Sequence, residues 1–261
     1  MAEVVLDPPV RPVATRRVVV VGIGMGPQHV TPEASAAIGS VDVVLAFVKS
    51  AGDPLLEVRR EICARHDVEL VVLEDPPRAR HDDVDYKAAV EAWHAARTDA
   101  WEVALAEHPG DVGLLVWGDP GLYDSTLRLL DRLQDRLQDR VRLAVEVVPG
   151  ISSLQLLAAR HRLVLHEVGA PLHVTTARRL PEALAAGERN VVVVLTRRLE
   201  LLGTEPDVTG WSIWWGANLG APGEQLVAGR VADVLDDVAA ARERARALDG
   251  WVLDLYLLRA P

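Results

Sequence analysis

Four consecutive valines, Val18 to Val21, run directly into Gly22-Ile23-Gly24-Met25-Gly26-Pro27. β-Branched side chains suit a pleated surface and glycine permits a tight exit, so this reads as a strand buried on both faces. The pattern recurs, with short apolar runs at Asp42 to Phe47, Val68 to Leu73, Val112 to Trp117 and Val141 to Val148. Longer amphipathic stretches, Pro54 to Arg65 and Val84 to His108, stand between them. Strands alternating with helices predict a mostly parallel sheet covered on both faces. A helix is expected from about Thr31, whose hydroxyl can cap it, with Pro32 at the favoured first position. The near-repeat Asp131 to Arg140 puts Leu133 and Leu137 on one stripe and reads otherwise as a solvated helix face.

The breakers around Val168-Gly169-Ala170-Pro171 suggest a boundary. Beyond it, strands are expected at Leu172 to Thr176, Val191 to Leu195, Trp211 to Trp215, Gln225 to Val231 and Trp251 to Leu258, with helices near Pro181 to Ala186 and at Ala232 to Ala247. Consecutive strands predict a mixed sheet. The length of 261 residues fits two α/β domains, residues 17–168 and 169–261, after a flexible lead-in over residues 1–16.

Charge narrows the function. A net charge of -10 disfavours nucleic acid and anionic membranes as partners, since both are met by basic faces. No apolar run approaches the roughly 18 residues of a membrane helix. One cysteine, Cys63, and no Cys/His cluster at metal-ligand spacing fit a reducing, cytoplasmic location without a metal.

Three glycine turns follow predicted parallel strands: Gly22 to Gly26, Gly118-Asp119-Pro120, and Pro149-Gly150-Ile151-Ser152-Ser153. Open α/β sheets bind ligands at that carboxyl edge, so the turns are expected to converge on one site. Asp119 can accept hydrogen bonds from an ammonium or hydroxyl group. The first turn is not a dinucleotide fingerprint: Pro27 stands where a third glycine or alanine is required, and Asp42 begins its strand rather than ending it. No nucleophile elbow and no Gly-rich loop ending in Lys-Ser or Lys-Thr is present. Among the histidines, His29 and His81 are placed where a ligand can reach them, the latter in the long polar loop Glu74 to Asp83.

The order and spacing of the three turns resemble the tetrapyrrole (corrin/porphyrin) methylases over roughly residues 17 to 258. The stretches Trp117 to Thr126, Arg59-Arg60-Glu61-Ile62 and Trp93 to Arg97 resemble the corrin branch. The resemblance implies two α/β domains with S-adenosylmethionine in the cleft between them, and C-methylation of a tetrapyrrole, precorrin-5, with loss of acetate. The cofactor contacts it implies are Met25, Trp117, Gly118, Asp119, Leu122, Tyr123, Ser152, Ser153, Thr196, Ala217, Asn218 and Leu219. Gly22, Gly24 and Gly26 face the substrate on this reading, with Arg59, Arg80 and Arg197 as readers of its carboxylates. The deacetylation candidates are His81, Asp82, Asp83 and Tyr86. A homodimer is the assembly expected. Another methylase of the same pathway, a nucleotide-dependent oxidoreductase and a non-catalytic cofactor sensor stand as the alternatives.

Overall fold

The computed structural model describes residues 13–48, 52–77, 86–138, 140–196 and 207–261. The chain divides into two compact units, one of residues up to Ile23 with Val30–Gly150, the other of Gly24–His29 with Ile151–Pro261.

The first unit holds β1 (Ala14–Gly22), β2 (Val43–Val48), β3 (Glu69–Glu74), β4 (Val112–Val116) and β5 (Val141–Val148) in one sheet of order β3-β2-β4-β1-β5. All its pairings are parallel, as the alternation predicts. Val18 to Val21 lie at the centre of this sheet, each at most 1% exposed. Successive side chains point to opposite faces. Val18 and Val20 therefore pack under Trp101 and Ala104 of α3 (Tyr86–Glu107) and Leu129 and Leu133 of α4 (Thr126–Leu137). Val19 and Val21 pack under Ala34 and Ile38 of α1 (Pro32–Ile38) and Ile62 and Cys63 of α2 (Pro54–Arg65). At roughly 1.5 to 3 kcal/mol for each fully buried aliphatic side chain, the run alone fixes β1 in the interior. The helix starts follow from their caps: Thr31 accepts from the Ala34 amide at 3.1 Å, and Asp53 from the Leu55 amide at 3.0 Å.

The second unit has β6 (His173–Thr176), β7 (Asn190–Val194), β8 (Ser212–Ala217), β9 (Gln225–Arg230) and β10 (Asp254–Arg259), in the order β6-β7-β10-β8-β9. Only β6 and β7 pair in parallel, so the sheet is mixed as expected. It packs with α5 (Ser153–His161), α6 (Leu180–Ala185) and α7 (Val231–Asp249). Asp254, 1% exposed, ties this core together: it accepts from Trp215 Nε1 at 3.1 Å, Arg242 Nε at 3.1 Å and the Thr196 hydroxyl.

Two boundaries differ from those expected. The units divide at Gly150–Ile151 rather than near Val168–Gly169, because α5 packs on β8 and β10. No breaker marks that packing beyond Pro149-Gly150 itself. The lead-in gives way to β1 already at Ala14, which pairs with Val141; residues 1–12 lie outside the described residues. The α4 repeat also does more than face solvent. Leu133 and Leu137 are buried as expected, while Arg132 reaches Glu91 at 2.7 Å and Arg136 reaches Glu102 at 3.0 Å on α3.

Candidate functional site

Because β4, β1 and β5 are adjacent and parallel, the turns that follow them in the first unit meet at one edge. They touch backbone to backbone. A Cβ on Gly22 would lie 2.5 Å from Gly150 N and 2.9 Å from Gly118 O. One on Gly150 would strike Gly118 O and lie 2.7 Å from the Gly22 carbonyl carbon. Gly118 also adopts a φ of +74°, in the region glycine enters without penalty. The glycines are thus required by the approach of the turns to one another.

Asp119 locks the arrangement. Its Oδ2 accepts from the Gly150 amide at 2.9 Å and its Oδ1 from the Gly121 amide at 2.8 Å, so one carboxylate bridges the β4 and β5 turns. From sequence it reads as a ligand group, but in the fold its first task is holding this edge. Two features there lack an internal explanation. Trp117 Nε1 is a buried donor with no partner among the described residues. Leu122 and Tyr123 are 39% and 50% exposed, and Tyr123 has a φ of +52°, a strained conformation for an aromatic residue.

In the second unit, Gly24 and Gly26 have φ values of +66° and +148°, and the loop is fixed by Gln28 Nε2 donating to Gly220 O at 2.6 Å. Met25 is buried, and its carbonyl oxygen lies 2.7 Å from where a Gly220 Cβ would stand. His29 packs against the same glycine; burial first and Arg160 second lower its pKa, against the pull of Glu224. Ser152 is spent on a capping box with Gln155, whereas the partly exposed Ser153 is not in that cap. Thr196 gives its hydroxyl to Asp254. The Asn218 side chain donates to Asp249 at 2.8 Å and to Trp251 O at 3.0 Å and accepts from Leu253 N at 2.8 Å. Ala217 and Leu219 are buried. The Asn218 backbone amide is also spent, donating to Leu253 O at 2.9 Å. Leu195 and Asn218 both have positive φ, at 55° and 49°.

Of the arginines expected to read the substrate, Arg59 lies inside the described residues; Arg80, Arg197, His81, Asp82 and Asp83 lie outside them, as does the Tyr86 side chain. It opens on a first-unit pocket of about 420 Å³ at the carboxyl side of the sheet, walled by Phe47, Trp93, His94, Arg97, Tyr123 and Arg128 among others. Arg97 is sandwiched over the rings of Phe47 at 4.3 Å and Trp93 at 4.2 Å. Its Nε donates to Asp75 at 2.7 Å, and Trp93 Nε1 shares that carboxylate at 3.2 Å. Burial first, and then Arg132, hold the His94 imidazole below its usual pKa. Of this lining, His94 and Arg97 entered the sequence reading only within the Trp93 to Arg97 stretch, and Arg128 did not enter it. The available signal was Trp93 and Arg97 four apart on one helix face. Asp42, by contrast, sits at the amino end of β2 and accepts from Asp111 N at 2.6 Å, remote from any ribose-reading position.

Among the described residues, no helix is long and apolar enough to cross a membrane, and no group of three or more His, Cys, Asp or Glu residues is arranged to hold a metal.

Residues 17–235 match the family described as Tetrapyrrole (Corrin/Porphyrin) Methylases. The chain is 41% identical over 253 residues to the precorrin-6A synthase (deacetylating) of Sinorhizobium sp, covering 94% of this chain and 95% of that protein. A cobalamin synthesis related protein (CobF) of Corynebacterium diphtheriae has a similar structure, with a TM-score of 0.78 at 33% identity over 94% of this chain and 99% of that one. The uroporphyrin-III C-methyl transferase of Thermus thermophilus, complexed with S-adenosyl homocysteine, shares the fold at a TM-score of 0.57 and 19% identity, over 93% and 92% of the two chains. With the family match spanning most of its length, the chain belongs to the tetrapyrrole (corrin/porphyrin) methylases.

Proposed function

We propose that the chain is an S-adenosylmethionine-dependent C-methyltransferase of cobalamin biosynthesis that converts precorrin-5 to precorrin-6A with release of acetate. The observation that carries this reading is the 41% identity to precorrin-6A synthase (deacetylating) across 94% of the chain.

The β4 turn fits a nucleoside cofactor: Trp117 Nε1 offers an unspent donor, and Leu122 and Tyr123 an exposed apolar and aromatic surface. When bound, S-adenosylmethionine supplies a methyl group already activated by its sulfonium. The chain's residues then have to orient the accepting carbon and exclude water. Contacts are assigned to Trp117, Gly118, Leu122, Tyr123 and Ser153, and to backbone groups of Met25, Thr196, Ala217, Asn218 and Leu219. Asp119 and Ser152 hold their turns in shape. Gly22, Gly24, Gly26, Arg59, Arg80 and Arg197 are assigned to the substrate. Loss of acetate needs water to add to the acetyl carbonyl, the carbon–carbon bond to break toward the ring, and a proton to leave the water. His81, Asp82, Asp83 and Tyr86 are assigned to that proton transfer.

Incubation with precorrin-5 and S-adenosylmethionine, followed by mass spectrometry, tests the reading. Gain of a methyl and loss of an acetyl group are expected. A methyl gain with the acetyl retained would assign the chain to another step of the pathway, and cofactor binding without any product would make it a sensor.

A further inference from the structure

The first-unit pocket holds two arginines whose hydrogen-bonding capacity the described residues leave mostly unused. Arg59 donates to the backbone oxygens of Leu115 at 3.2 Å and Leu55 at 3.3 Å, and Arg128 to that of Asp124 at 3.3 Å. Neither has a carboxylate within ion-pair distance among the described residues. A guanidinium presents five donors in a fork that matches a carboxylate. Asp53 and Asp124 also line the pocket, each with one oxygen in a local backbone hydrogen bond, and neither forms an ion pair with the two arginines. Asp53 Oδ1 caps α2 through Leu55 N, Asp124 Oδ1 accepts from Thr126 N at 2.7 Å, and Asp75 is held by Arg97 and Trp93.

We propose that this pocket is a carboxylate subsite that receives an acidic rim side chain of the tetrapyrrole, with Arg128 and Arg59 as its two readers. The proposal rests on the functional reading above and adds residues to it. A volume of about 420 Å³ is at the small end for ligand sites and suits one edge of a macrocycle. Arg97 is the pocket's wall, already spent on Asp75 and two rings. Arg59 is half-buried: burial pulls its guanidinium below the usual value, Asp53 and Asp124 oppose, and Arg97 pulls with burial. His94 lines the same space, and burial holds its imidazole below the usual pKa. The β4 turn supplies Tyr123 to this pocket and Gly118 to the glycine edge, so both are built on one loop.

Binding of uroporphyrin III, a polycarboxylate tetrapyrrole, and of S-adenosylhomocysteine is to be measured in parallel on the whole chain. Arg128→Gln should weaken the porphyrin about tenfold or more, the loss expected for a charge-assisted hydrogen bond, and leave S-adenosylhomocysteine within about twofold. Arg128→Lys should recover part of the loss. Arg128 is exposed and outside the core, so this variant should fold; Arg59→Gln, checked by circular dichroism, should repeat the effect. Wild-type porphyrin affinity in both glutamine variants would overturn the subsite, as would a wild type that binds no porphyrin. A parallel fall in S-adenosylhomocysteine affinity would overturn it in favour of the cofactor's own carboxylate. Displacement of the porphyrin by inorganic phosphate more readily than by acetate would overturn it in favour of a phosphate site. If the wild type fails to turn over precorrin-5 while porphyrin binding still depends on Arg128, the functional reading falls and the subsite stands.

Discussion

Replacing Gly150 by alanine perturbs the site at its tightest point. Gly150 does not need glycine for its φ angle; it needs it because the three turns meet there. A new Cβ would strike Gly118 O and lie 2.7 and 2.9 Å from the Gly22 carbonyl carbon and Cα. All three atoms are backbone, so no side chain can swing away. Overpacking costs about 1 to 3 kcal/mol. Displacing the Gly150 amide from Asp119 Oδ2, now 2.9 Å away, adds about 1.5 to 3 kcal/mol for a hydrogen bond to a charged group. The sum, about 2.5 to 6 kcal/mol, lowers the melting midpoint by roughly 5 to 24 °C at about 2 to 4 °C per kcal/mol for a chain of this size. Thermal unfolding followed by circular dichroism measures this directly. Gly210→Ala is the control, because a Cβ there meets nothing within 4 Å, and it should leave the midpoint nearly unchanged. A Gly150→Ala midpoint within about 2 °C of wild type would refute the argument that backbone approach dictates these glycines.

Further outcomes follow from the same geometry. Asp119→Ala removes both bridging hydrogen bonds and should cost about 2 to 5 kcal/mol, with S-adenosylhomocysteine affinity falling about tenfold or more in calorimetric titration; unchanged affinity would detach the turn from the cofactor. Asp254→Ala leaves Arg242, only 16% exposed, without its carboxylate and should cost about 3 to 5 kcal/mol in urea unfolding. Burial holds His94 below its usual pKa, so the unfolded chain binds a proton that the native chain refuses. Stability should therefore fall as pH drops through about 6.5, and His94→Gln should make that acid limb shallower, leaving the share that His29 contributes in the same way. Burial pushes the Cys63 thiol up to about 11, so it should resist alkylation at pH 8 in the native state and react rapidly in urea.

The parts of the site carried by contiguous residues were the legible ones. Val18 to Val21 with Gly22, and the two later turns, identified the strands, their parallel pairing and the edge where they meet, because β-branched runs and glycines act locally. What Asp119 does was not legible, since its partner amide belongs to Gly150 on another turn. Arg59 was legible as a carboxylate reader, but the pocket around it was not, for the same reason: Phe47, Arg59, Trp93 and Arg128 come from four elements that the fold brings together. The assignment of Asn218 to a cofactor contact shows the reverse limit, for its side chain is consumed by Asp249, Trp251 and Leu253. The breakers at Val168 to Pro171 pointed to a boundary there, whereas α5 packs on β8 and β10 and so belongs to the second unit, which begins again at Ile151; that packing is long-range and leaves no local mark.

On the proposed function, methylation and loss of acetate are two outcomes of one turnover. The most direct measurement follows a reaction of precorrin-5 with S-adenosylmethionine carrying a ¹³C-methyl group, by ¹³C and proton nuclear magnetic resonance, counting labelled methyl on the product against acetate released. Equal amounts of the two, appearing together, are expected; labelled product without acetate, or acetate without labelled product, would overturn the coupling of the two steps.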